Sequence, residues 1–128
     1  MSRKLKLTAK EFDRMVERGI RRVPKELRDH LDNVLISVRR RPSREMLEEM
    51  GLPPDEPLLG VFQGVSMMER SVTSPPLFPD TIFLFQEPLE EICESLDELE
   101  EQIEITVVHE IAHFFGISDE RLAELGYE

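Results

Sequence analysis

"VVHEIAHFFGISDE", residues 107–120, sets His109, Glu110 and His113 into an otherwise apolar run that closes at Gly116 and resumes at Ser118 and Asp119. Residues four apart on an α-helix project from one face, one turn apart, so both imidazoles aim the same way. Glu110 directly follows His109 and is turned about 100° around the axis. The apolar periodicity extends back through Leu99 and Ile103, and Ser95 with Glu98 has the form of a capping box. One long helix from Leu96 to about Phe115 is therefore predicted, ending where Gly116 can take a left-handed backbone. Its first half is amphipathic, with Leu96, Leu99 and Ile103 on one stripe, and its second half is apolar nearly all round apart from the histidine face. That change predicts a helix passing from the surface into the core as it nears the histidines.

Working outward, Thr8 with Glu11 forms a second capping box before Phe12, Met15 and Val16, so a helix is expected over 8–19, closed by Gly19. Pro24 opens a short helix through Leu27 and Leu31. Ser43 caps another, carrying Met46 and Leu47 and stopping at Gly51. "VLISVRRR" (34–41), "LLGVFQGV" (58–65) and "TIFLFQ" (81–86) are the strand candidates, the last a continuous apolar run expected of a buried strand. Pro88 is expected to begin a short acidic helix, and residues 119–125 a last one. Residues 66–80, "SMMERSVTSPPLFPD", carry three prolines and little periodicity, and loops of that length are either functional or simple crossovers. Helices and strands mix without regular βαβ alternation, which points to a single α+β domain over 1–128.

The chain has 128 residues and a formal net charge of −11, enough length for one buried core. The charge is unevenly spread: residues 1–44 hold 14 Lys and Arg against 6 Asp and Glu, while residues 45–128 hold 2 against 21. The expected use of the basic third is to neutralise the acidic remainder, across the fold or across a homodimer, because an acidic body repels phosphate backbones. Nucleic acid is thereby disfavoured as a partner. No apolar run reaches the roughly 20 residues of a membrane helix, and no signal-type segment opens the chain. The single cysteine, Cys93, belongs to no metal-binding cysteine motif. A cytoplasmic address is the expectation, with the oligomeric state left open.

The histidine stretch carries the chemistry. Two imidazoles on one helix face can reach one ion, and a carboxylate beside the first can reach water held there without being a ligand, the HExxH arrangement of zinc hydrolases. A catalytic zinc needs a third protein ligand and one open position. Beyond the Gly116 reversal, Asp119 is the candidate third ligand. Ser118 or Asp119 can equally cap the terminal helix, and cap and ligand are compatible roles for a two-oxygen carboxylate. His109, His113 and Asp119 are thus the candidate metal ligands and Glu110 the candidate general base. Zn²⁺ is the expected metal, although a His₂Asp set suits other divalent ions. Arg70 and Tyr127 are candidate oxyanion partners, with a surface ion pair and a packed terminal ring as the plainer readings.

Taken whole, "HEIAHFFGISD" reads H-E-x-x-H-x-x-G-x-x-D. It resembles the extended metzincin signature with Asp in place of the last His, as in snapalysin-type secreted proteases. The chain resembles the small bacterial zincin-like metallopeptidase family more broadly, through "TVVHEIAHFFGISDERLAELGY" (106–127) and, in order and spacing, "LDNVLISV", "LLGVFQGV", "MMERSV" and "FPDTIFLF". The resemblance implies a minimal zincin fold, a small mixed sheet against a long C-terminal active-site helix and N-terminal helices. It also implies His109, His113 and Asp119 as ligands and Glu110 as catalytic base. No Met follows His113, so the methionine turn of larger metzincins has no counterpart there, and Met67 and Met68 lie upstream. The function expected is zinc-dependent hydrolysis of a peptide or protein substrate, added as a strand to "LLGVFQGV". Two rivals are a binding or regulatory module that keeps the fold without turnover, and a metal-dependent RNA hydrolase.

Overall fold

A computed structural model describes residues 5–64 and 80–127. In chain order these form helix α1 (Ala9–Arg22), helix α2 (Lys25–Arg28) running into a 3-10 segment (Asp29–Asn33), strand β1 (Leu35–Arg39) and helix α3 (Arg44–Glu49). Strands β2 (Gly60–Gln63) and β3 (Thr81–Phe85) follow, then helices α4 (Gln86–Glu91), α5 (Leu96–Phe115) and α6 (Asp119–Glu124). The three strands make one mixed sheet in the order β1-β3-β2, with β1 parallel and β2 antiparallel to β3. The architecture is α+β, as expected. The apolar run "TIFLF" is the central strand, with Ile82, Leu84 and Phe85 fully buried.

Helix α5 is the axis of the molecule and touches α1, α2, α4, β2 and β3. Leu99, Ile103, Val107, Val108 and Ile111 are each fully buried along it. At about 2 kcal/mol per large apolar side chain removed from water, these five dominate the stability of the helix. Leu96 departs from the expected stripe, being 49% exposed, because the first turn of α5 overhangs the core. The predicted dive into the core is real as far as Ala112; Phe115, 37% exposed, has emerged again. Ser95 accepts from the Glu98 amide, but the Glu98 carboxylate reaches the Glu94 amide, at 3.5 Å, so only half of the expected box forms.

Elsewhere the caps fall where the residues dictate. Thr8 and Glu11 make the reciprocal box before α1, and Ser43 accepts from Met46 N before α3. Gly19 does not end α1. The helix runs on to Arg22, and Gly19 sits where α1 crosses α5, since a Cβ there would lie 2.8 Å from Ile103 Cγ2 and 3.1 Å from Glu100 O. Its role is close helix approach rather than termination. Helix α4 begins at Gln86, two residues before Pro88, which sits in the first turn where a missing amide costs no helical bond. β2 begins two residues into its apolar run, at Gly60, and covers Gly60–Gln63.

Two buried polar groups brace the chain before α1. Glu90 Oε2 accepts from Leu7 N at 2.9 Å, while Gln86 Nε2 donates to Leu7 O at 2.9 Å and to Glu90 Oε2 at 3.1 Å. Part of the basic third pairs within the fold: Arg18 and Arg22 with Glu100, Arg22 also with Glu104, and Arg40 and Arg41 with Glu87. Among the described residues no helix is long and apolar enough to cross a membrane.

Candidate metal centre

The last three turns of α5 present two different faces. Thr106, Glu110 and Phe114, at successive four-residue steps, run along strand β2. Gly60 is what admits the helix: a Cβ there would lie 2.8 Å from Thr106 Cγ2 and 2.9 Å from Phe83 O. One turn on, Glu110 Oε1 accepts a hydrogen bond from Phe62 N at 2.8 Å. A further turn on, the Phe114 ring stacks on Phe62, centroids 3.9 Å apart and 16° from parallel, with Phe115 edge-on to both. Phe115 also meets His30, the third histidine, at 4.5 Å. A helical turn and two strand residues advance by similar distances, so the two elements keep step along this contact.

His109 and His113 occupy the other face and are exposed. With Ala112, Gly116, Ile117, Ser118, Asp119 and Leu122 they line an open cleft of about 520 Å³. Gly116, at φ 71° and ψ 33°, ends α5 in the left-handed region as predicted, and its amide bonds Ala112 O. A Cβ at Gly116 would meet nothing within 4 Å, so the residue is required by its backbone conformation rather than by space. After this reversal Ser118 caps α6, accepting from Arg121 N at 3.1 Å. Asp119 becomes the first helical residue, exposed, with its carboxylate free of capping duty. The structure therefore assigns the cap to Ser118.

The three candidate ligands share a cleft without converging on one point: among the described residues, no three His, Cys, Asp or Glu side chains are gathered into a ready-made metal site. Their donor chemistry nevertheless fits a divalent metal such as zinc. Among the described residues neither imidazole is taken up by a hydrogen bond, Asp119 is uncommitted, and nitrogen and carboxylate oxygen are both zinc donors. Glu110 is half-buried beside them. Burial pushes its carboxyl above the ordinary carboxylate range, against the Phe62 amide and the nearby charges of His113 and His109, which pull it down.

Residues 31–127 match the family model for zincin-like metallopeptidases. The chain belongs to that family. No curated protein matches it.

Of the two oxyanion candidates, Arg70 lies outside the described residues, as do Met67, Met68 and most of the loop at 66–80. Tyr127 is engaged elsewhere. Its hydroxyl donates to Glu104, which also pairs with Arg22 Nε at 2.8 Å, and its ring packs against the core. Burial first, then the Glu104 bond, hold the phenol well above its ordinary value. Tyr127, Glu104 and Arg22 line a second cleft of about 330 Å³ that borders the first at His109. Phe62 was not a sequence candidate, because its contribution is a backbone amide. The available signal was Gly60, since a glycine inside a strand pattern marks a close backbone approach.

Proposed function

We propose that this family member is a zinc-dependent peptidase whose metal is held by His109, His113 and Asp119. The supporting observation is the pair of exposed imidazoles, one turn apart, opening on the cleft that Asp119 also lines. When bound, zinc supplies Lewis acidity, which polarises a peptide carbonyl and acidifies water. Glu110 takes the proton of the attacking water and returns it to the leaving amine. Its half-buried position suits that exchange, because burial raises the carboxyl and so makes the carboxylate a stronger base towards the proton of water. An extended substrate lies along the edge of β2 that faces away from β3, and the Phe62–Phe114–Phe115 rings form an apolar ledge beside it. The substrate is a peptide or an exposed segment of a protein.

One observation favours a second reading, a binding module without turnover: the Glu110 carboxylate is already bonded to Phe62 N. Replacement of Glu110 by Gln separates the two. The peptidase reading expects zinc-dependent cleavage of a denatured-casein digest by the wild type, reduced at least about a hundredfold in Glu110→Gln while zinc is retained. Equal cleavage by both proteins, or none by the zinc-loaded wild type, contradicts it.

A further inference from the structure

The amide that Glu110 holds is one that a docking strand needs. Phe85 N donates to Leu59 O at 2.9 Å, which extends the β2–β3 register to Leu59 opposite Phe85 and makes that position one whose backbone faces β3. Bonded and non-bonded pairs alternate in an antiparallel ladder. With Val61 opposite Phe83 and Gln63 opposite Thr81, those two residues turn their backbone groups towards β3. Gly60 and Phe62 turn theirs the other way, to the edge that is free among the described residues. A peptide adding to β2 pairs with these outward groups, and the Phe62 N–H is among them. In the structure that N–H is filled by Glu110 Oε1 at 2.8 Å.

We propose that the Glu110–Phe62 contact is a latch that an extended peptide opens: the incoming strand's carbonyl takes the Phe62 N–H and sets the Glu110 carboxylate free. No bond is made or broken beyond the exchange of one hydrogen-bond acceptor for another. In the structure the carboxylate satisfies an edge amide that would otherwise invite pairing with another chain, and its own charge is partly spent there. Once a strand is seated, the carboxylate has lost its partner and lies one residue from His109. The inference rests on the peptidase reading for its purpose, since coupling strand docking to release of the base confines hydrolysis to peptides that can extend along β2. Single residues and folded loops cannot reach across to displace Glu110. Docking and chemistry are thereby linked through one residue rather than through a domain movement.

The test uses the metal-free full chain, so that no activity is involved. The probe is a doubly blocked peptide of alternating Val and Thr with a terminal Lys at each end. Backbone pairing does not depend on side-chain identity, so this generic strand suffices. Calorimetry should show Glu110→Ala binding the probe about tenfold more tightly than the wild type, the competitor for Phe62 N–H having gone. Glu110→Gln, whose neutral carbonyl oxygen still accepts a weaker bond, should fall between them. Equal or weaker binding by Glu110→Ala, or no binding by any form, overturns the latch. On the wild type alone, the Glu110 carboxyl resonance should move when the probe binds. A seated peptide with that resonance unmoved overturns the latch even if the Ala variant fails to fold. Zinc-dependent cleavage without tightening removes the latch and leaves the peptidase; tightening without any cleavage does the reverse.

Discussion

Helix α5 carries a closed face and an open one within the same three turns. On the closed face Thr106, Glu110 and Phe114 are fitted against β2, down to a glycine at residue 60 with no room for a methyl group. On the open face His109 and His113 stand in solvent over a cleft that includes Asp119. Both faces grow from one apolar, well-capped helix, yet packing determines the first and leaves the second unconstrained. Side chains that stabilise a fold are recognised by what they touch. The two imidazoles contribute nothing visible to packing, which is the pattern expected of groups kept for a ligand.

The comparison predicts unequal mutational costs. Ile111→Ala, in the fully buried stripe of α5, should cost about 3 kcal/mol in urea unfolding of the metal-free protein. A cost below about 1 kcal/mol would mean that α5 is not the axis of the core. Gly60→Ala should cost about 2 kcal/mol, because the new methyl meets Phe83 O, a backbone atom that cannot turn aside. A neutral result there would show the closed face to be looser than described. On the open face, His113→Ala should change metal-free stability by less than about 0.5 kcal/mol, and a large loss would make that histidine structural.

The smallest effect belongs to a region remote from both faces and serves as a control. Burial alone would raise Glu87, but the hydrogen bonds and charges of Arg40 and Arg41 outweigh it and hold the carboxyl below its ordinary value. The unfolded chain therefore takes up this proton at higher pH than the folded one. The stabilisation is complete above the ordinary glutamate range near 4.5 and is lost as the pH falls through the depressed folded value. Wild type should melt above Glu87→Gln at pH 7, and the gap should close on acidification to about pH 3. A gap that widens in acid would reverse the assigned sign.

The long helix was legible to the residue, from Leu96 to Phe115, because capping, apolar period and a terminal glycine all agree there. The central strand was legible for a related reason: only a strand buried on both sides needs "TIFLF" to be apolar throughout. Gly19 was misread as a stop, because a glycine that ends a helix and one that lets two helices touch look alike until the partner, Ile103, is known. The choice between Ser118 and Asp119 as cap turned on which side chain meets the Arg121 amide, a matter of one residue's register. The Glu110–Phe62 bond was invisible for a deeper reason. It joins a side chain to a backbone amide 48 residues away, and no residue type advertises its amide.

The central claim is that the open face exists to hold a metal. Its most direct measurement is the zinc content of the full chain purified without chelator or added metal, beside His113→Ala prepared identically. The account predicts close to one zinc per chain in the wild type and almost none in a variant that folds as well. A wild type that carries no metal and takes up none when zinc is supplied, or a His113→Ala protein that keeps its zinc, would contradict it.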